Sequence, residues 1–171
     1  MRETAQDLSD LEGLLDHSVG QAGAILRESM QLDIHTLAAK QVVRYLDGIR
    51  TASLATVTAK GEPRVAPIAA IFYRGRYHVP TVVNAARARH LRQRRGVSLT
   101  EYAGHDNAVT IHGQATLIGL DHPDFEAVDD AYAALSTNGG PRNWGGGGPL
   151  YIRIDPDVMY ATAIHPEEYP G

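Results

Sequence analysis

The densest chemistry in this 171-residue sequence lies between Thr81 and Arg95. A strand delivers the chain to Thr81, whose hydroxyl stands just before a turn. Asn84 then caps a short helix, Ala85 to Arg95, which Gly96 ends. The first turn of such a helix presents unpaired N–H groups and the positive end of the helix dipole, a combination that binds phosphate. Arg87 falls at about the third helical position, where its guanidinium can add a two-pronged contact. Arg89, Arg92, Arg94 and Arg95 extend positive charge along the same helix. The arrangement fits a small ligand that bears a phosphate. No acid–base pair or nucleophile stands out, so no catalytic side chain is assigned. The eight histidines show no metal-ligand spacing, and no metal site is expected.

The surrounding pattern must position that helix. Ile49 to Thr58 alternates and is rich in β-branched residues, as a strand requires. Ala59 to Glu62 is a hairpin turn, and Pro63 to Tyr73 is a second strand. Pro67 inside it implies an edge, a bulge or a ligand-facing break, because proline has no ladder donor. Arg74-Gly75 turns the chain into a third strand, Arg76 to Val83. Val97 to Tyr102 and Asn107 to Leu120 follow, with Gly113 marking a bend or a close backbone approach. Asp121 caps a helix that runs to Leu135. Residues 136–149, STNGGPRNWGGGGP, read as a mobile loop, and Leu150 to Ile154 is the last strand, with an extended stretch after it. Before the strands, Leu8, Leu11, Leu15, Val19, Ala22, Leu26 and Met30 recur at helical steps, with Gly13 and Gly20 favouring two pieces. Another helix runs from Thr36, as its cap, to Leu46. Six strands joined mostly by tight turns, with helices between them, make a small antiparallel barrel with helical decoration.

Length suits one domain. The absence of cysteine excludes disulfides, thiolate metal sites and cysteine nucleophiles. No apolar run approaches the ~20 residues of a bilayer crossing, and the acidic start MRETAQDLSD has no apolar signal core, so the expectation is a cytoplasmic protein without a membrane role. The formal net charge of -4 conceals an asymmetry: residues 36–100 carry 12 basic and two acidic side chains, whereas both flanks are acidic. The basic third binds an anion or is neutralised within the fold. A nucleic-acid partner is not expected, because the strands carry few aromatics for base stacking.

Two segments resemble the superfamily of pyridoxamine 5′-phosphate oxidase-like flavoproteins, which includes reductases dependent on the deazaflavin F420. Ala55 to Pro67, ATVTAKGEPRVAP, is similar to that family's first hairpin. Thr81, then Arg87 six residues on, then Leu91 four beyond and the strand from Val97, is similar to its phosphate segment. Val109 to Leu117, VTIHGQATL, resembles the following barrel strand. The resemblance covers about residues 38–160. Where the family often has a serine two residues before the lysine or arginine, this chain has Ala85, with Asn84 beside it able to substitute. The oxidases proper carry a C-terminal arginine/histidine motif that Ala163 to Glu168 lacks, so authentic pyridoxamine-phosphate oxidation is not expected.

What the resemblance implies is a mainly β protein with helices (α+β): a six-stranded antiparallel split β-barrel over residues 36–171, of the FMN-binding type, with an N-terminal helical extension over 1–35. It implies a homodimer, FMN or F420 as cofactor with the two left undecided, and hydride transfer to or from a small organic substrate. Arg87 is the phosphate ligand, with Thr81, Asn84, Ala85 and Leu91 in the same segment. Val65, Ala66, Pro67 and Ile68 line the ring edge. Gln114 shares a strand face with His112, and Trp144 stands in a glycine-rich loop that can close over a planar ring. The alternative is a non-catalytic cofactor or haem-binding protein on the same fold.

Overall fold

A computed structural model describes residues 2–170. Six strands close into an antiparallel barrel in the order β1-β2-β3-β6-β5-β4: β1 (Ile49–Val57), β2 (Pro63–Tyr73), β3 (Arg76–Val82), β4 (Gly96–Ala103), β5 (Asn107–Ile118) and β6 (Pro149–Ala163). Alternate residues turn inward. Ala52, Leu54, Val79, Leu99, Ile111 and Ile152 are among those that fill the interior, each less than a tenth exposed, as the two-residue period of a strand dictates. The tight turn between β2 and β3 puts Arg74 and Gly75 at φ +50° and +73°.

β6 is three times the length expected for a last strand. It runs on through Asp155 and Pro156, residues whose types suggest a stop. A bulge explains this: Gly113 faces Pro156 and His112 faces Val158, so Asp157 is an extra residue with no partner across the ladder. Gly113 is required there. A Cβ on it would run into the Asp155 carbonyl and lie 2.8 Å from the Pro156 Cα.

The seam between β2 and β3 is short. Only Ile71, Phe72 and Tyr73 pair with β3, whereas β2 pairs with β1 from Pro63 to Ile71. β3 pairs with β6 from Tyr77 to Val82 on its other edge, so beyond His78 its edge toward β2 is no longer paired. The first half of β2 is therefore an edge. Pro67, opposite Ser53, sits where its missing donor costs nothing.

Helices cover the barrel on two sides. α1 (Ala5–Gln21) is continuous through Gly13 and Gly20 and breaks only at Ala22–Gly23. It is followed by α2 (Ala24–Ser29), α3 (Leu32–His35) and α4 (Ala39–Tyr45). Leu11, Leu15, Val42 and Leu46 join the barrel's own core. Thr36 is not the N-cap of α4: it ends α3 and bridges to Thr162, and Gln41 accepts from the Ala38 N–H at the true start of α4. α6 (Phe125–Ala133) begins later than expected, after a turn at Asp121–Asp124, and makes a second apolar layer of Phe125, Val128 and Tyr132 with Ile71, Ile118 and Tyr151. α5 (Ala86–Gln93) buries Ala88 and Leu91. No helix among the described residues is long and apolar enough to cross a membrane.

One buried hydroxyl fastens α1 to the bulged strand. Ser18 accepts the Met159 N–H at 2.8 Å and donates to the Leu14 carbonyl at 2.7 Å, fully buried. Ser18→Ala leaves that N–H without a partner, and a buried unmet donor costs about 1–3 kcal/mol. Chemical denaturation of the variant is expected to show a loss of that size; an unchanged midpoint and slope would show that the α1 contact carries no stability.

Candidate functional site

Where β2 and β3 part, a cleft of about 510 Å³ opens. β1 supplies its floor through Leu54 and Thr56. Arg64, Val65 and Ala66 of β2 form one wall. Thr81 and Val82 of β3, with Ala85, Ala86, Arg87 and His90 of α5, form the other. Trp144 closes one side.

The arginines of α5 divide into two kinds. Arg89 donates to the Asn84 carbonyl (2.9 Å), Arg92 to Val83 (3.0 Å), Arg94 to Ala59 (3.2 Å) and Arg95 to Ala115 (3.0 Å). Each ties the helix to a neighbouring segment. Arg87 is different: it is half-buried in the cleft wall and its guanidinium meets no acceptor among the described residues. Burial, with no carboxylate to offset it, pushes its pKa below the ordinary arginine value. A cation held this way gains from an incoming anion. The N–H groups of Ala86, Arg87 and Ala88 have no preceding helical carbonyl to bond, so they and the helix dipole act at the same end of α5. Ala85, at the cap position in extended geometry, offers no side-chain acceptor to occupy them. Thr81 is 3% exposed and lines the cleft.

Of the residues expected at the site, Val65, Ala66, Thr81, Ala85, Arg87 and Trp144 come together in this cleft. Pro67 is exposed on the outer face of β2, and Ile68 points into the barrel core. Leu91 is buried beneath α5. Asn84 lies at the turn, its N–H bonded to the Gly146 carbonyl. Gln114 is exposed on β5 between Gly96 and Asp155, away from the cleft. His90 is an addition. Its Nδ1 lies 3.0 Å from the Thr56 hydroxyl, and its ring lines the cleft one turn after Arg87. The i, i+3 spacing on α5 is the signal that places both on one face.

The glycine-rich loop is tied to the barrel and to α6 at several points. Pro141 to Asn143 form a short 3₁₀ turn. Arg142 pairs with Asp129 and Glu126 and stacks over the Phe125 ring at 4.7 Å. Asp129 in turn accepts from the Tyr151 hydroxyl at 2.8 Å. The run Gly146 to Gly148 then lies along the end of β3: Asn84 and Val83 donate to the carbonyls of Gly146 and Gly148. At Gly146 and Gly147, φ is +98° and +89°, and a Cβ would lie 2.7 Å from Val82 and from Asn84. These two glycines allow the close approach that sets Trp144, 40% exposed, at the cleft. Arg142→Ala removes the anchor, and the fluorescence of this sole tryptophan is expected to become markedly more accessible to acrylamide. Unchanged quenching would mean that the glycine contacts alone hold the loop.

Comparison with known proteins adds three findings. The family model described as pyridoxamine 5′-phosphate oxidase matches residues 38–160. No curated protein matches the sequence. Among solved structures, a conserved hypothetical protein from Mycobacterium tuberculosis superposes with a TM-score of 0.64 at 17% identity, over 80% of this chain and 91% of that one. A pyridoxamine 5′-phosphate oxidase-related, FMN-binding protein from Nostoc punctiforme gives 0.55 at 17%, over 68% and 76%. A protein named as an F420 reductase gives 0.51 at 15%, over 66% and 87%. A haem storage protein from Vibrio cholerae gives 0.52 at 19%, over 71% and 91%. At these identities the likeness is one of fold.

Proposed function

The chain belongs to the pyridoxamine 5′-phosphate oxidase family, and from that membership we propose that it is an oxidoreductase whose cleft holds FMN or F420. The observation that carries the reading is Arg87, a half-buried cation at the start of α5 with no partner among the described residues. The cleft volume of about 510 Å³ falls in the ordinary range for a ligand of this size. In this reading Arg87, the free N–H groups of α5 and the Thr81 hydroxyl hold the cofactor phosphate. Val65 and Ala66 flank the ring, and Trp144 covers one side. When bound, the ring system supplies hydride chemistry, and the protein supplies orientation and exclusion of water. No side chain is required as acid or base, in keeping with the lack of such a pair in the cleft. The nearest competing reading is a haem-binding or non-catalytic carrier, for which His90 is the cleft's histidine.

The second copy implied by the family has a suitable surface. The outward positions of β1, β2, β4 and β5 include Thr51, Ser53, Val65, Pro67, Thr100, Thr110 and His112. None of these is charged, and Val65 is 68% exposed. We assign this face to a homodimer, which would present Gln114 to the partner.

Two experiments test these readings. Side-by-side titration with FMN, F420 and haem is expected to show saturable binding of FMN or F420. Arg87→Ala is expected to weaken it by about 1.5–3 kcal/mol, the scale of a hydrogen bond to a charged group. An unchanged dissociation constant would place the phosphate elsewhere, and a Soret band lost in His90→Ala but kept in Arg87→Ala would favour haem. Sedimentation equilibrium is expected to give twice the chain mass for the native protein and the single mass for Thr100→Arg. A native monomer would overturn the dimer.

A further inference from the structure

A second cavity, of about 240 Å³, shares no residue with the cleft. It lies outside the barrel, against the outer face of β3, between β6 and the start of α6, and charged groups dominate its wall. Asp155 accepts from Arg76 at 3.1 Å and from Arg153 at 2.9 Å, and Arg153 reaches Asp124 at 2.9 Å. Arg74 also lines the cavity. It pairs with no carboxylate among the described residues and rests over the Tyr73 ring at 5.4 Å. Three guanidinium groups therefore face two carboxylates, one positive charge in excess.

The sixth group is His78, only 3% exposed. Its Nδ1 lies 3.2 Å from the Arg76 carbonyl. A carbonyl only accepts, so Nδ1 carries the hydrogen. Burial pushes the imidazole pKa down to about 4, which keeps the ring neutral at pH 7 and leaves Nε2 as a bare acceptor. Asp155 is taken up by Arg76, Arg153 and the Thr116 hydroxyl, so the cavity combines excess positive charge with acceptor lone pairs from His78 and Asp124. A fully deprotonated oxyanion would satisfy the arginines and be repelled by the lone pairs. An oxyanion that carries an O–H satisfies both.

We propose that this cavity is a second ligand site, for a small oxyanion that brings its own proton, with inorganic phosphate as the simplest case. The guanidinium of Arg74, which pairs with no carboxylate among the described residues, takes up the negative charge, and Nε2 of His78 accepts the ligand's hydrogen. Phosphate retains an O–H at neutral pH and sulfate does not, so the site discriminates between them by hydrogen bonding rather than by charge.

The test uses the Arg87→Ala protein, which weakens the phosphate subsite proposed for the cleft, and reads the response at His78, outside that cleft, so that the two readings fail separately. Phosphate is titrated while the His78 ring signals are followed by NMR, with sulfate at matched ionic strength as the control. Phosphate is expected to shift the His78 signals saturably, and sulfate at least about tenfold more weakly, the lower end of what one charged-group hydrogen bond supplies. Arg74→Asn, chosen because asparagine tolerates the left-handed backbone at this position, is expected to weaken phosphate by a similar factor. Equal response to the two anions, unmoved His78 signals, or undiminished phosphate binding in Arg74→Asn would each overturn the proposal.

Discussion

Three residue pairs hold β2 to β3, and the shortness of that seam organises the rest of the molecule. A barrel whose adjacent strands paired along their full length would leave no lateral opening. Here β2 stays with β1 and β3 with β6 while β2 and β3 part, and the gap between them becomes the cleft. The divergence gives Pro67 an edge to occupy without losing a ladder bond. β6 carries β3 on one edge over Pro149 to Ile154 and β5 on the other from Tyr151 to Ala163. The bulge opposite Gly113 lets one long strand do this, and Ser18 of α1 fastens the backbone just past the bulge.

Charge is distributed to match. Three cations of the basic middle third meet a carboxylate within the fold: Arg50 pairs with the buried Glu101, Arg64 with Glu62 and Arg76 with Asp155. Four arginines of α5 and its end bond to backbone carbonyls. Neutralisation accounts for Arg50, Arg64 and Arg76, and carbonyl contacts hold the four arginines of α5 and its end in place. Arg87, half-buried in the cleft, remains for an anion, and Arg74 remains on the far side of β3.

The parts legible from sequence were those set by local chemistry. Lys60-Gly61 and Arg74-Gly75 mark tight turns, alternation marks the strands between them, and the run from Thr81 to Arg87 marks the strand–turn–helix that faces the cleft. What escaped depends on partners distant in the chain. Arg142 finds Asp129 and Glu126 on another helix, which turns a glycine-rich segment from apparent looseness into a fitted wall. His90 reads as a surface residue until Thr56 is placed beside it. Asp155-Pro156 reads as a strand end, because only the opposing Gly113 shows that the ladder resumes beyond them. Pro67 and Ile68 lie beside Ala66 in sequence, but the alternation of an edge strand sends one to the surface and the other to the core.

The central claim is that Arg87, the half-buried cation at the start of α5, is the anchor of a phosphate-bearing redox cofactor. A crystal structure of the protein soaked with FMN or F420 tests it most directly. The account predicts ligand density in the cleft between β2 and β3, with the phosphate within hydrogen-bonding distance of the Arg87 guanidinium and the first N–H groups of α5. Density for the phosphate anywhere else, with Arg87 still without a partner, would contradict it.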